Sequence, residues 1–242
     1  MRIEVIGQRL LTGRQCIAEA AILSARVLHM KTEAYAQEKV CNGLAGETSL
    51  ASMPQLRSVF EESYRQLDEM MAFTSAVEEK LAECLRHGKI PDEELVDAIS
   101  VCKIRCIDVA IQRVHALRME VGSYALMHDT GFELVDMFLC CKFAEGDSRI
   151  LQQKLMRDRL KKMKTEGAAT TLLKAVNPFS AEQAEAAVAL SLGQKLQAAG
   201  RDRAKMAQLM EQHWEQIYEL SRTVEERIIR TTVGLRPYRP SG

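Results

Sequence analysis

The segment Phe143-Ala144-Glu145-Gly146-Asp147-Ser148 sets one carboxylate, Glu145, beside a glycine at the junction of two helical patterns. Upstream lie Met137, Phe138, Leu139, Cys140 and Cys141, an apolar run. Downstream, from Gln152 to Lys164, the chain is strongly helical and basic. A carboxylate against an apolar wall loses hydration, which raises its proton affinity and makes it a usable general base. Local sequence also supports a plainer role, in which Glu145 and Asp147 are acids at a helix N-terminus, stabilised by the dipole of the helix that follows. The other candidate groups do not assemble into a reactive set. Cys102 and Cys106 stand four apart on one helix, but nothing completes a tetrahedral set, so they read as core thiols and no metal is expected. The five histidines are dispersed, and GxSxG, Walker A and GxGxxG patterns are missing from the sequence.

The elements that must position Glu145 are helices. Strong helix formers dominate, with only five prolines and 13 glycines in 242 residues. No segment shows convincing strand periodicity. Apolar residues at helical spacing predict a first helix over about 5–40, then a loop from Cys41 to Ser52. A second helix follows Pro54 and stops at His87-Gly88. A third opens at Pro91-Asp92-Glu93-Glu94 and is apolar on more than one face, which makes it the most buried. A short helix is expected over about 132–142 and another over 147–164. Ser180 with Gln183 reads as a capping box. A last helix over about 203–230 carries Met206, Met210, His213, Ile217, Leu220, Val224 and Ile228 as a seam, followed by a basic Pro-containing tail. The fold class is therefore all-α: an up-and-down bundle of four to five long helices in residues 1–165, with a helical extension and tail in 166–242.

Thirty-three basic and 33 acidic residues balance, so no bulk attraction to nucleic acid or an anionic membrane is implied. The basic run from Arg149 to Lys164 lacks interleaved aromatics and reads as a solvated helix face. Seven cysteines without CxxC spacing suggest reduced, buried thiols. No signal-like N-terminus and no apolar run of transmembrane length is present. A soluble protein in a reducing compartment is expected.

Several of these segments resemble the C-terminal helical-bundle domain of the acyl-CoA dehydrogenase and acyl-CoA oxidase family, over residues 5–164. Gly13-Arg14 followed by Ile17-Ala18 is similar to the opening of that domain. Tyr35-Ala36-Gln37-Glu38-Lys39 resembles the family's Tyr-Ala-x-x-Arg, with Lys39 in place of the arginine that reaches the flavin dinucleotide of a neighbouring subunit. Asn42-Gly43 stands where the family has Phe-Gly. Arg118 to Gly122 falls at the Gln-x-x-Gly-Gly motif, also on the dinucleotide side, and Asp136-Met137 at an Arg-Asp pair. Glu145-Gly146 matches the family's Glu-Gly, whose glutamate takes the proton alpha to the thioester.

The resemblance implies Glu145 as the catalytic base and Lys39, Gly43, Arg118 and Gly122 as the cofactor-contact positions. It also implies that the sequence corresponds to the third domain only, without the N-terminal helical and β-domains that build most of the substrate and flavin pocket. Two functions from different classes follow. One is a non-catalytic structural or assembly subunit, with no cofactor of its own, that binds protein subunits through helix–helix contacts. The other is the C-terminal part of an FAD-dependent acyl-CoA dehydrogenase or oxidase that uses Glu145 on an acyl-CoA.

Overall fold

The computed structural model describes residues 2–43, 46–200 and 202–234, with 2–8 described by their backbone alone. The expected tail falls on 235–242, outside the described residues. The chain divides into two compact units, Met1–Asp147 and Ser148–Gly242. Helix 148–166 packs on the helices that follow it.

In the first unit, α1 (Arg2–Glu38), α2 (Pro54–Arg86) and α3 (Glu93–Glu120) pack against one another, and α4 (Asp136–Phe143) lies on α1 and α3. Proline opens α2 at its first turn, where its missing N–H has no partner to lose. Asp92 caps α3, its side chain accepting from the Leu95 amide at 2.8 Å. As expected, α3 is the central helix: Ile99, Val101, Cys102, Ile104, Cys106 and Ile107 are fully buried on several faces. Gly88 takes a left-handed φ of 61° just after α2, where glycine avoids a Cβ clash.

The expected loop after α1 is instead an antiparallel hairpin, β1 (Val40–Gly43) and β2 (Gly46–Ser49), with Val40 opposite Ser49 and Asn42 opposite Glu47. Its four-residue strands are too short to display a readable alternation. The expected short helix over 132–142 is a 3-10 turn at Phe132–Leu134 followed by α4. Of the seven cysteines only Cys102 and Cys106 are buried. Cys16 and Cys140 are exposed, and Cys41, Cys84 and Cys141 are half-buried, all with free thiols.

The second unit holds α5 (Ser148–Glu166), α6 (Ala168–Val176), α7 (Gln183–Gln197), α8 (Arg203–Gln212) and α9 (Trp214–Val233). Leu155, Met156, Leu192 and Leu220 form its core. The expected last helix is broken at His213, whose backbone (φ −110°, ψ 28°) leaves the helical region. The seam is accordingly split: Ile217, Leu220, Val224 and Ile228 on α9 are buried, while α8 buries none of its residues. The capping box does not form either. Ser180 Oγ accepts from the Glu182 amide at 3.2 Å, and α7 starts later, at Gln183.

The basic run on α5 is not uniformly solvated. Arg159 is 4% exposed and lies among Glu166, Glu182 and Glu185. Arg227 from α9 also binds Glu185, at 2.7 Å, and Lys174 from α6 binds Glu166 at 2.8 Å and Glu182 at 2.7 Å. Three cations and three carboxylates thus join α5, α6, α7, α9 and the α6–α7 connection. Among the described residues no helix is long and apolar enough to cross a membrane.

Candidate functional site

Glu145 sits in the turn between α4 and α5, within the first unit. Its backbone is left-handed (φ 56°), and Gly146 follows with φ 102°. A non-glycine residue there costs on the order of 1–2 kcal/mol, so the turn must be held from outside. Arg14 on α1 donates from Nε to the Glu145 carbonyl at 2.9 Å. Lys103 on α3 donates from Nζ to the Gly146 carbonyl at 2.7 Å and also to the Lys142 carbonyl at the end of α4. Two cations from two helices therefore grip consecutive carbonyls of the turn.

The carboxylate of Glu145 rests on α1 at Gly13. A methyl group at Gly13 would come within 2.6 Å of Glu145 Cδ and 2.8 Å of both carboxylate oxygens. Glycine inside a helix costs about 1 kcal/mol against alanine. At this position it opens the notch that seats Glu145.

Lys103 is fully buried. Burial pulls its ammonium down to about 8, opposed by Asp147, while Arg14 adds to the depression. Arg14 is also shifted down by burial, against the pull of Glu145. Lys142 pairs with Asp108, so the charges around the turn are largely matched. On α3, burial pushes the Cys102 thiol well up, and Cys106 bonds to it. A neutral thiol pair of this kind is a poor metal ligand, and among the described residues no group of metal-binding side chains occurs.

The other predicted positions lie elsewhere. Lys39 is exposed just past α1, and its carbonyl accepts from Leu50 at 2.8 Å. Gly43 is in β1, and Arg118 is exposed in the last turn of α3. Gly122 (φ 73°) opens the 3-10 turn after α3. The α1 and α3 ends meet where Tyr35 stacks on Tyr124, with centroids 3.8 Å apart. Along α1, 21 residues separate Arg14 from Tyr35, about 30 Å of helix. The structure thus groups Lys39, Gly43, Arg118 and Gly122 toward one end and places Glu145 toward the other.

Among the described residues, that end offers two exposed cations, Lys39 and Arg118. The space a Cβ would take at Gly43 is closed by Thr48 Cγ2 at 3.2 Å and the Gly46 carbonyl at 3.3 Å. At Gly43 the hairpin fills its own hollow, whereas the space beside Gly122 is open.

Sequence reasoning missed Lys103. The signal was a single lysine inside the apolar run Ile99 to Ile107, a placement that requires acceptors.

No family model and no curated protein sequence matches the chain. Solved structures do. Acyl-CoA oxidase 1 of Arabidopsis thaliana superposes with a TM-score of 0.69 at 15% identity, covering 94% of this chain and 39% of that one. An acyl-CoA oxidase from Lycopersicon esculentum (tomato) gives 0.67 at 13%, covering 90% and 38%. Acyl-CoA oxidase 3 of Yarrowia lipolytica gives 0.62 at 14%, covering 93% and 38%. The chain spans less than two fifths of the length of these oxidases. Its fold is that of the acyl-CoA oxidase C-terminal helical domain.

Proposed function

We propose that this chain is an assembly subunit, a helical module of acyl-CoA oxidase fold that seats on a protein partner through α4. The observation that carries this reading is the mismatch between the composition of α4 and its burial. The helix reads Asp-Met-Phe-Leu-Cys-Cys-Lys-Phe, yet Phe138 is its one buried residue. Met137 is 62% exposed and Phe143 63%, and Leu139 and the preceding Leu134 are exposed as well. A helix that is apolar on several faces is normally enclosed, and this many exposed apolar side chains on one short helix point to an interaction site.

The paired change Met137→Asp and Phe143→Asp alters exposed side chains only and leaves the fold intact. In the protein purified from its source, size-exclusion chromatography with light scattering should show the wild type in a larger complex and the variant at the mass of the free chain. A wild type that elutes as the free chain at its native concentration would sink this reading.

A second reading is favoured by the strain at Glu145, because gripped left-handed turns that carry a carboxylate cluster at reactive sites. Here the partner brings the acceptor and the rest of the pocket, and Glu145 takes a proton from the carbon alpha to an acyl-CoA thioester. Deuterium from solvent should then enter that carbon in the complex, and Glu145→Gln should slow the exchange by at least about a hundredfold. Equal exchange in the two proteins would remove Glu145 from any such role.

A further inference from the structure

On α1, the exposed residues Cys16, Ala20, Leu23, Val27, Met30 and Ala34 recur at intervals of four, three, four, three and four. That is the heptad spacing of a coiled-coil seam, sustained for 19 residues, or about 28 Å of helix. It is distinct from the buried face of α1, which carries Ala18, Ala21, Ile22, Ala25 and Leu28. We propose that this seam receives an apolar heptad helix of another protein, one whose edge facing Glu19 and Glu33 is cationic. The proposal rests on the assembly reading and adds a second contact surface to it.

The spacing specifies the shape of the occupant. A 3.5-residue apolar repeat stays in register only with another helix crossing at about 20°, because a strand or loop cannot fill holes at that period. Small residues at Cys16, Ala20 and Ala34 let a helix approach closely, and Leu23, Val27 and Met30 supply the knobs. The flanks specify charge. Glu19, Arg26 and Glu33 run along one side, with Ile17, Ser24 and Lys31 along the other. Arg26 is already paired with Asp68 of α2, so the first flank presents a net acidic edge.

A second copy of the chain fits this edge poorly. Paired antiparallel, it would set Glu19 of one copy against Glu33 of the other. Paired parallel, it would set Glu33 against Glu38. Like charges across a helical interface oppose pairing, whereas lysines opposite Glu19 and Glu33 favour it.

Two synthetic four-heptad peptides with identical leucine seams, one flanked by lysine and one by glutamate, test this by fluorescence anisotropy on the full chain. The lysine-flanked peptide should bind about tenfold tighter at low salt, with the gap closing at high salt. Leu23→Asp with Val27→Asp should abolish binding of both, and Met30→Glu should weaken it independently. Equal binding of the two peptides, or none, overturns the proposal. So would sedimentation that shows wild-type dimers dissolved by Leu23→Asp with Val27→Asp, since the seam would then serve a second copy. The α4 variants should leave peptide binding unchanged, so failure of the α4 interface and failure of the seam are separately visible.

Discussion

Arg159→Met should lower the unfolding free energy of the second unit by about 3–5 kcal/mol, the usual penalty for breaking a buried ion pair from one side. The guanidinium is nearly inaccessible and meets three carboxylates, of which Glu185 is 1% exposed. Without it, Glu185 keeps Arg227, and Glu182 keeps Lys174. Lysine is a weak substitute because its point charge cannot address three acceptors in a plane.

The chain's one tryptophan, Trp214, begins α9, so its fluorescence follows this unit during urea titration. A midpoint shift that amounts to less than about 1 kcal/mol would show that the network is screened, as exposed pairs are. Acid should act in the same direction. Burial raises the Glu182 carboxyl, but Lys174 and Arg159 outweigh it, so its folded value lies below the ordinary 4.5. Its contribution is therefore complete above pH 4.5 and is lost as the pH falls through the lower folded value.

Lys103→Met should remove one rising, pH-dependent contribution to the stability of the first unit. The folded ammonium titrates near 8, against 10.5 in the unfolded chain. Below pH 8 both states carry the proton, and the folded state bears the cost of burying it. Between 8 and 10.5 the unfolded state holds a proton that the folded state has released, so the contribution of Lys103 to stability rises with pH. The slope reaches at most about 1.4 kcal/mol per pH unit. Above 10.5 the gain is complete.

Methionine keeps the length and removes the charge, so this rise should be lost, leaving the opposite trend of the buried Cys102 thiol, which stays protonated in the folded state while the unfolded thiol ionises. Amide exchange of the α3 core, measured from pH 7.5 to 10.5, reads this unit without relying on Trp214. The same variant frees the Gly146 and Lys142 carbonyls, and exchange at Gly146 and Asp147 should accelerate by at least about tenfold. A difference between wild type and variant that does not change with pH would mean that Lys103 is hydrated, and unchanged exchange in the turn would mean that Arg14 alone holds it.

The sequence made some of this legible, for physical reasons. Helices of 28 to 37 residues declare themselves by repetition, which is why α1, α2 and α3 and the burial of α3 could be read. The Glu145-Gly146 junction was visible because glycine punctuates helices. The hairpin was not, since four residues per strand carry too few alternations. The break at His213 was hidden because the residues around it continue a helical pattern and no proline or glycine marks the stop.

Arg159 looked like its basic neighbours. Its carboxylate partners are up to 26 residues away, and only tertiary packing brings Glu182 and Glu185 to it. The same limit applies to the site. Lys39, Gly43, Arg118 and Gly122 could be named as one set, but their distance from Glu145 along α1 appears only in three dimensions.

The notch at Gly13 ties two distant positions together. Any side chain at residue 13 occupies the volume of the Glu145 carboxylate. A change there is tolerated most easily where residue 145 shortens or swings away, and a long acidic side chain at 145 keeps its seat only while residue 13 has no Cβ. In related chains the two sites should therefore vary as a pair, as lock and key of one fit, although 132 positions separate them in the sequence.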